Sequence, residues 1–275
     1  MCARKPFRFG VIAEQMSTRK TWIAKAQHVE ELGYSTLLIR DHFVPDFFGN
    51  QFAPIAAMMS AADVTTTLCI GTMVIDNDFR HPVMLAKEAA TIDLLSGGRL
   101  EFGIGAGWLA SEYEQSGIPY NPAGVRISRM IESIAILKGL WSGEPVTFQG
   151  DHYQTENLTS FPRPAQQPHP PILIGGGSKR ILTYAGREAD IVSVLTTAVG
   201  SGVVVDEPLN RTTEKVAERI GWIRDGAGDR FDQIELSMIP AVIVTDDLRG
   251  STLALIKKKG WQTSRLSRSG TCQRP

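Results

Sequence analysis

Short apolar runs alternate with stretches of helical period along most of the chain. Phe7–Ala13 reads as a strand. Trp22, Ile23, Ala26, Val29 and Leu32 recur at the spacing of one helix face, and Gly33 stops that helix. Ser35–Ile39 is a second strand and Ala53–Ala62 a second helix. Cys69–Ile75 is a third strand, and Pro82–Leu95 a helix with Pro at its first turn and Gly97-Gly98 beyond its end. Leu100–Gly105 is strand four, followed by a helix over Arg126–Leu140. Val146–Tyr153, with Gly150-Asp151 at its middle, predicts a hairpin insertion. A proline-rich connector leads to strand Ile172–Ile174, helix Lys179–Arg187, strand Ile191–Val194, helix Thr213–Ile223 and strand Ile234–Val244.

Nearly all these strands are continuous apolar runs separated by helices. That is the pattern of a parallel sheet covered on both faces. A closed barrel and an open doubly wound sheet both satisfy it. The length of 275 residues suits one α/β barrel.

Lys and Arg (29) balance Asp and Glu (29), so net charge gives no case for nucleic acid or a membrane surface as partner. The balance is uneven, however. Leu248–Pro275 holds seven Lys/Arg and no acid, which leaves the preceding part net acidic. The sequence therefore divides into a barrel domain over 1–247 and an atypical basic tail over 248–275. Three scattered cysteines make neither a metal-ligand spacing nor a disulfide framework. With no secretory signal and no membrane-length apolar run, the expected setting is the cytoplasm.

Polar groups collect where the strands end, which is where the chemistry of parallel barrels sits. Glu14-Gln15, Asp41-His42, Asp76-Asn77-Asp78, Trp108 and Gly175-Gly176-Gly177-Ser178 follow successive strands. His42 can move a proton or polarise a substrate oxygen near neutral pH, with Asp41 beside it. The competing reading is a solvated turn with His42 packed on Phe43. Gly176, Gly177, Ser178, Lys179 and Arg180 run from a strand into a helix, where backbone amides and basic side chains can meet a phosphate. A permissive glycine turn is the alternative there. Gly105-Ala106-Gly107-Trp108-Leu109-Ala110 fits a dinucleotide pattern, but no strand follows in the required unit and position 125 is Val. A flat ring lying close to this small-residue backbone fits better. Trp22, Met58-Met59 and Met84 read as core or interface. Metal-spaced histidine pairs and a G-x-S-x-G elbow are missing.

Taken together, the segments FGVIAEQ (Phe9–Gln15), IRDHF (Ile39–Phe43), GTMVIDNDFRHPVMLAKEAATIDLLSGGRLEFGIGAGW (Gly71–Trp108), KGLWSGEPVTFQGDHY (Lys138–Tyr153), PILIGGGSKR (Pro171–Arg180) and AGREADIV (Ala185–Val192) resemble the luciferase-like monooxygenase superfamily. Within it they resemble the branch that uses the deazaflavin coenzyme F420. The resemblance implies a TIM (β/α)8-type barrel with a flavin-like ring at the C-terminal ends of the strands. Asp41 would contact the cofactor and His42 would lie near its reacting carbon. Met73-Val74 would form a strand bulge with a non-proline cis peptide, Ala106, Gly107 and Trp108 would line the ring, and Gly176 to Arg180 would take the phosphate. It further implies F420 as cofactor with FMN as the alternative, a small-molecule substrate and a homodimer.

Two departures stand out. Trp108 occupies the position of a Glu proton donor in the family's sugar-phosphate dehydrogenases, which points away from that substrate class. After Asp247 the family continues with a further helix, strand eight and a last helix. Here the sequence has neither barrel periodicity nor an acid, so it predicts no eighth βα unit, and at most a short helix near Thr252–Lys258. Three functions follow: hydride transfer with F420, a two-component FMN monooxygenase, or a flavin-binding protein that no longer turns over.

Overall fold

The computed structural model describes residues 7–45, 48–196, 202–203, 208–240, 244–247, 249–252 and 254. Strand β1 (Gly10–Ala13) leads into helix α1 (Arg19–Glu31). Thr18 caps α1 by accepting from the Thr21 amide, and Trp22, Ala26 and Val29 form its buried stripe. Strand β2 (Thr36–Ile39) is buried along its whole length, and helix α2 (Pro54–Ala62) starts on a proline whose missing N–H costs nothing at a first turn.

The third predicted strand is broken in two. Strand β3 (Cys69–Thr72) and strand β4 (Ile75–Asp76) flank a cis peptide at Met73-Val74. Both pair with strand β5 (Leu100–Gly105), β3 through Ile70 and Gly71, β4 through Ile75 and Asp76. Across the break, the Thr72 side chain replaces the ladder. Its hydroxyl donates to the Gly103 carbonyl at 2.7 Å and lies 3.2 Å from the Gly103 N–H, which donates to it. Residue 103 has to be glycine, because a β-carbon there would lie 1.9 Å from the Thr72 carbonyl oxygen.

Helix α3 (Pro82–Leu95) follows, and then helix α4 (Ala110–Ser116), which the apolar pattern does not reveal. Its sequence ASEYEQS is too short and too polar to carry a period. Helix α5 (Ala123–Ser142) outruns its predicted span at both ends. The hairpin is formed by strands β6 (Val146–Gln149) and β7 (Gln154–Leu158), so residues 150–153 are its turn and not its second strand. Glu132 fixes that turn by accepting from the amides of Asp151, His152 and Tyr153. Strand β8 (Ile172–Gly176), helix α6 (Lys179–Glu188), strand β9 (Ile191–Val194), helix α7 (Thr213–Ala227) and strand β10 (Glu235–Ser237) complete the order. The last predicted strand, Ile234–Val244, is thus shorter, and residues 241–243 of it lie outside the described residues. So does almost all of the basic stretch 248–275.

All pairings in the main sheet are parallel, in the order β1-β2-β3-β5-β8-β9-β10 with β4 also on β5. One contact decides between barrel and open sheet. Flat strands at these two ends would stand roughly 29 Å apart at the usual spacing. Instead Arg8, just before β1, donates to Glu235 of β10 at 2.9 Å and to Glu101 of β5 at 2.6 Å. The sheet is curled into a barrel, with this ionic bridge at the end where the strands begin. Helices pack around it, and the core includes Leu37, Ile70, Ile75, Phe102, Ile104 and Trp141. Trp22 and Met58 are buried in it, whereas Met84 is exposed. Among the described residues, no helix is long and apolar enough to cross a membrane, and no group of His, Cys, Asp or Glu could hold a metal ion.

Candidate functional site

The C-terminal ends of the strands enclose a cavity of about 370 Å³, within the range of small-ligand pockets. Its wall brings together Asp41, His42, Met73, Val74, Ala106, Gly107, Trp108, Gly176, Gly177 and Ser178, ten residues selected from the sequence. Lys179 and Arg180 are not among the residues that line it. Arg180 donates instead to the Gly124 carbonyl and to Ser128 Oγ, both at 2.8 Å, and so ties α6 to α5.

His42 lies between rings, stacked on Phe48 at 5.0 Å and edge-on to Trp108 at 6.0 Å. Its Nδ1 is 2.8 Å from Glu112 Oε2, a carboxylate of which 2% is exposed. The other oxygen of Glu112 accepts from the Phe43 and Val44 amides. Glu112 therefore holds both the imidazole and the loop that carries it. A buried carboxylate as acceptor makes Nδ1 the donor, which leaves Nε2 as the nitrogen open to chemistry. Sequence reasoning missed Glu112 because it missed α4.

Asp41 does not stand free. Both its oxygens take the Arg80 guanidinium, and Oδ2 also accepts from the Asp76 amide at 3.1 Å. Asp78 is paired with Arg129 at 2.8 Å. Asp76, between them and on the cavity wall, accepts from the Tyr113 hydroxyl at 3.0 Å and from the Asp78 amide at 2.9 Å. Burial foremost, then the charges of Asp78 and Asp41, push the Asp76 carboxyl up to about 7, against the lowering effect of those hydrogen bonds. Burial and the two neighbouring carboxylates also raise Tyr113.

Three arginines line the cavity as well: Arg40, Arg126 and Arg219. Arg40 pairs with Glu14 at 2.8 Å and lies over the Phe48 ring at 3.8 Å. Arg126, 3% exposed, donates to the carbonyls of Ala106, Gly107 and Asn121 and so clamps the loop after β5. Arg219 donates to the carbonyls of Gly177, Asn210 and Lys215. A signal for the last two was present in the sequence: Arg126 precedes Met130, and Arg219 precedes Ile223, by one helical turn on a buried stripe. An arginine at such a position needs partners that a plain core does not supply.

The walls suit a planar, anionic ligand. Backbone forms much of the surface at residues 105–107 and 175–177, and a β-carbon on Gly175 would find nothing closer than 3.9 Å. Ser178 caps α6 without using its side chain on the helix, so its hydroxyl and the first amides are available to an anion.

Residues 6–231 match the luciferase-like monooxygenase family. The chain is 31% identical over 230 residues to an F420-dependent glucose-6-phosphate dehydrogenase of Intrasporangium calvum, covering 82% of this chain and 67% of that protein. It is 29% identical over 187 residues to an FMNH(2)-dependent dimethylsulfone monooxygenase of Pseudomonas putida, covering 66% and 51%. The coenzyme F420 dependent tetrahydromethanopterin reductase of Methanopyrus kandleri shares the fold, with a TM-score of 0.74 and 19% identity over 94% of this chain and 77% of that one. With the family matched across most of its length, a barrel of the right strand order and a cavity at the expected strand ends, the chain belongs to the luciferase-like monooxygenases.

Proposed function

We propose that this protein is an oxidoreductase that binds coenzyme F420 at the C-terminal face of its barrel and passes hydride to or from a small organic substrate. The observation that carries this is the Glu112–His42 pair at the edge of a cavity walled by backbone. A buried carboxylate orients one imidazole nitrogen, and the other is left to serve the reacting molecule. The F420-dependent relative supports the choice of cofactor.

In this reading Met73, Val74, Ala106, Gly107 and Trp108 would hold the ring. Gly176, Gly177 and Ser178, with the first backbone amides of α6, would hold the phosphate end, Lys179 lending charge from outside the cavity wall. Arg180 contributes by fixing α6, and Arg219 adds positive charge beside Gly177. When bound, the cofactor supplies the hydride donor or acceptor. The chain's own residues do the rest. Asp41, locked by Arg80, shapes the wall, and His42 holds or moves a proton at Nε2. Trp108, not an acid, stands beside His42, so the reading does not extend to the sugar phosphate of the Intrasporangium relative. The FMNH(2)-dependent relative supports a second reading, in which reduced FMN occupies the same cavity.

Titration of the protein with F420, FMN and FAD tests the choice. Micromolar or tighter binding of F420, at least tenfold tighter than FMN, supports the first reading. The reverse order supports the second, and no binding of any of the three overturns both. A homodimer is part of the same proposal, and light scattering on the purified chain checks it.

A further inference from the structure

Three aspartates gather at the end of β4, and two of them are neutralised. Asp41 faces Arg80 and Asp78 faces Arg129. Asp76 has no cation of its own among the described residues. It accepts hydrogen bonds from Tyr113 of α4 and from the Asp78 amide, and it contributes to the cavity wall. The charged and titratable groups facing it are Asp41 with Arg80 from the β2 and β4 ends, Asp78 with Arg129 from α5, and Tyr113 from α4. Arg126, 6.0 Å from the Tyr113 ring, and His42 lie farther along the cavity wall. A carboxylate with no cation, 8% exposed and between two other carboxylates, is cheaper to keep protonated than ionised.

We propose that Asp76 selects for ligand charge: the cavity receives an anionic, planar cofactor only with a proton on Asp76, taking that proton from solvent when Asp76 is ionised. The inference rests on the cofactor reading above. Its chemistry is one proton and no electron. An ionised Asp76, the ligand anion and one proton from buffer give a complex with a neutral carboxyl, which donates a hydrogen bond to Tyr113 or to the ligand. The raised affinity of Asp76 for protons, with its midpoint about 7, places the change in the range where a cell operates.

The test is the pH dependence of F420 and FMN binding, followed by fluorescence, in the parent and in Asp76→Asn. Asparagine keeps the shape and an acceptor for Tyr113 but cannot ionise. One-proton linkage makes the ratio of parent to variant Kd rise roughly tenfold between pH 6 and pH 8. The ligand's own titration, common to both proteins, cancels in this ratio. A ratio constant within about twofold across that range overturns the inference. Calorimetry on the His42→Asn protein at pH 8, in two buffers of different ionisation enthalpy, gives a second measurement that needs no change at residue 76. Uptake close to one proton per ligand supports the inference, and zero uptake overturns it. Failure of both cofactors to bind at pH 6 overturns the cofactor reading and this inference together, whereas tight binding with a flat ratio overturns this inference alone.

Discussion

Gly107 and Tyr113 share one volume: a β-carbon on residue 107 would lie 1.8 Å from the Tyr113 hydroxyl oxygen and 2.5 Å from Asp76 Oδ2. Residue 107 also has a φ of +69°, a region L side chains avoid. Glycine is needed here first by its neighbours inside the protein, before any cofactor is considered. Gly107→Ala should therefore cost about 2 kcal/mol or more in stability from strain and overpacking. Adding Tyr113→Phe should recover part of that loss, since it removes the hydroxyl oxygen but neither the contact with Asp76 nor the backbone strain. Thermal or denaturant unfolding of the single and double variants reads this directly. A double variant no more stable than Gly107→Ala would show that the hydroxyl is not the obstacle.

His42 and Glu112 should separate in kinetics. Loss of the imidazole in His42→Ala should lower kcat by about 10²–10⁴-fold while cofactor Kd changes by less than about threefold. Glu112→Gln presents an amide where the carboxylate stood. If its NH2 faces Nδ1, the imidazole adopts the other tautomer and Nε2 carries the proton. A fall in kcat with a displaced pH–rate profile is expected. Unchanged turnover in His42→Ala would remove that residue from the chemistry.

Arg8 joins the first and last described strands of the sheet and neutralises Glu101, whose side chain is 9% exposed. Glu101 keeps a bond from Thr36 Oγ1 at 3.1 Å, but no other cation contacts it among the described residues. Arg8→Ala should destabilise the protein by about 1–3 kcal/mol, the cost of an uncompensated partly buried charge. Arg8→Ala/Glu101→Gln should be more stable than Arg8→Ala alone. Urea unfolding of both variants tests the order.

Asp76 has a sign of its own in stability. Its folded-state midpoint, about 7, lies above the unfolded value, so the folded protein holds a proton that the unfolded chain has released. Its contribution is fully present below about pH 4 and is lost as pH rises towards 7, by up to about 1.4 kcal/mol per pH unit. Asp76→Asn should thus gain on the parent in melting temperature as pH rises from 4 to 7, with the difference level above pH 8. Melting temperatures that run parallel for the two proteins would contradict the assignment.

Much of the barrel was legible because its strands are continuous apolar runs. Leu100–Gly105 and Ile191–Val194 end where the pattern ends, and Pro82–Leu95 is bounded by its own proline and glycines. Ten cavity residues were legible because parallel strands deliver their next residues to one end. The choice of barrel over open sheet was not, since it depends on Arg8 meeting Glu235 across 227 positions of sequence. Glu112 was not legible either: it sits on a polar helix of about two turns and acts through a contact 70 residues away. The share of Arg180 in the site was read from charge and proximity in sequence, but its side chain turns along α5 once the helix forms.

Helix α4 joins these observations. Two consecutive residues of one short helix, Glu112 and Tyr113, reach different walls of the cavity, one to His42 and the other to Asp76. The imidazole and the lone carboxyl are thereby mounted on a common rocker. Any rotation of α4 moves the partners of both groups together. The two contacts are mechanically tied, and substitutions that reorient α4 will disturb them as a pair.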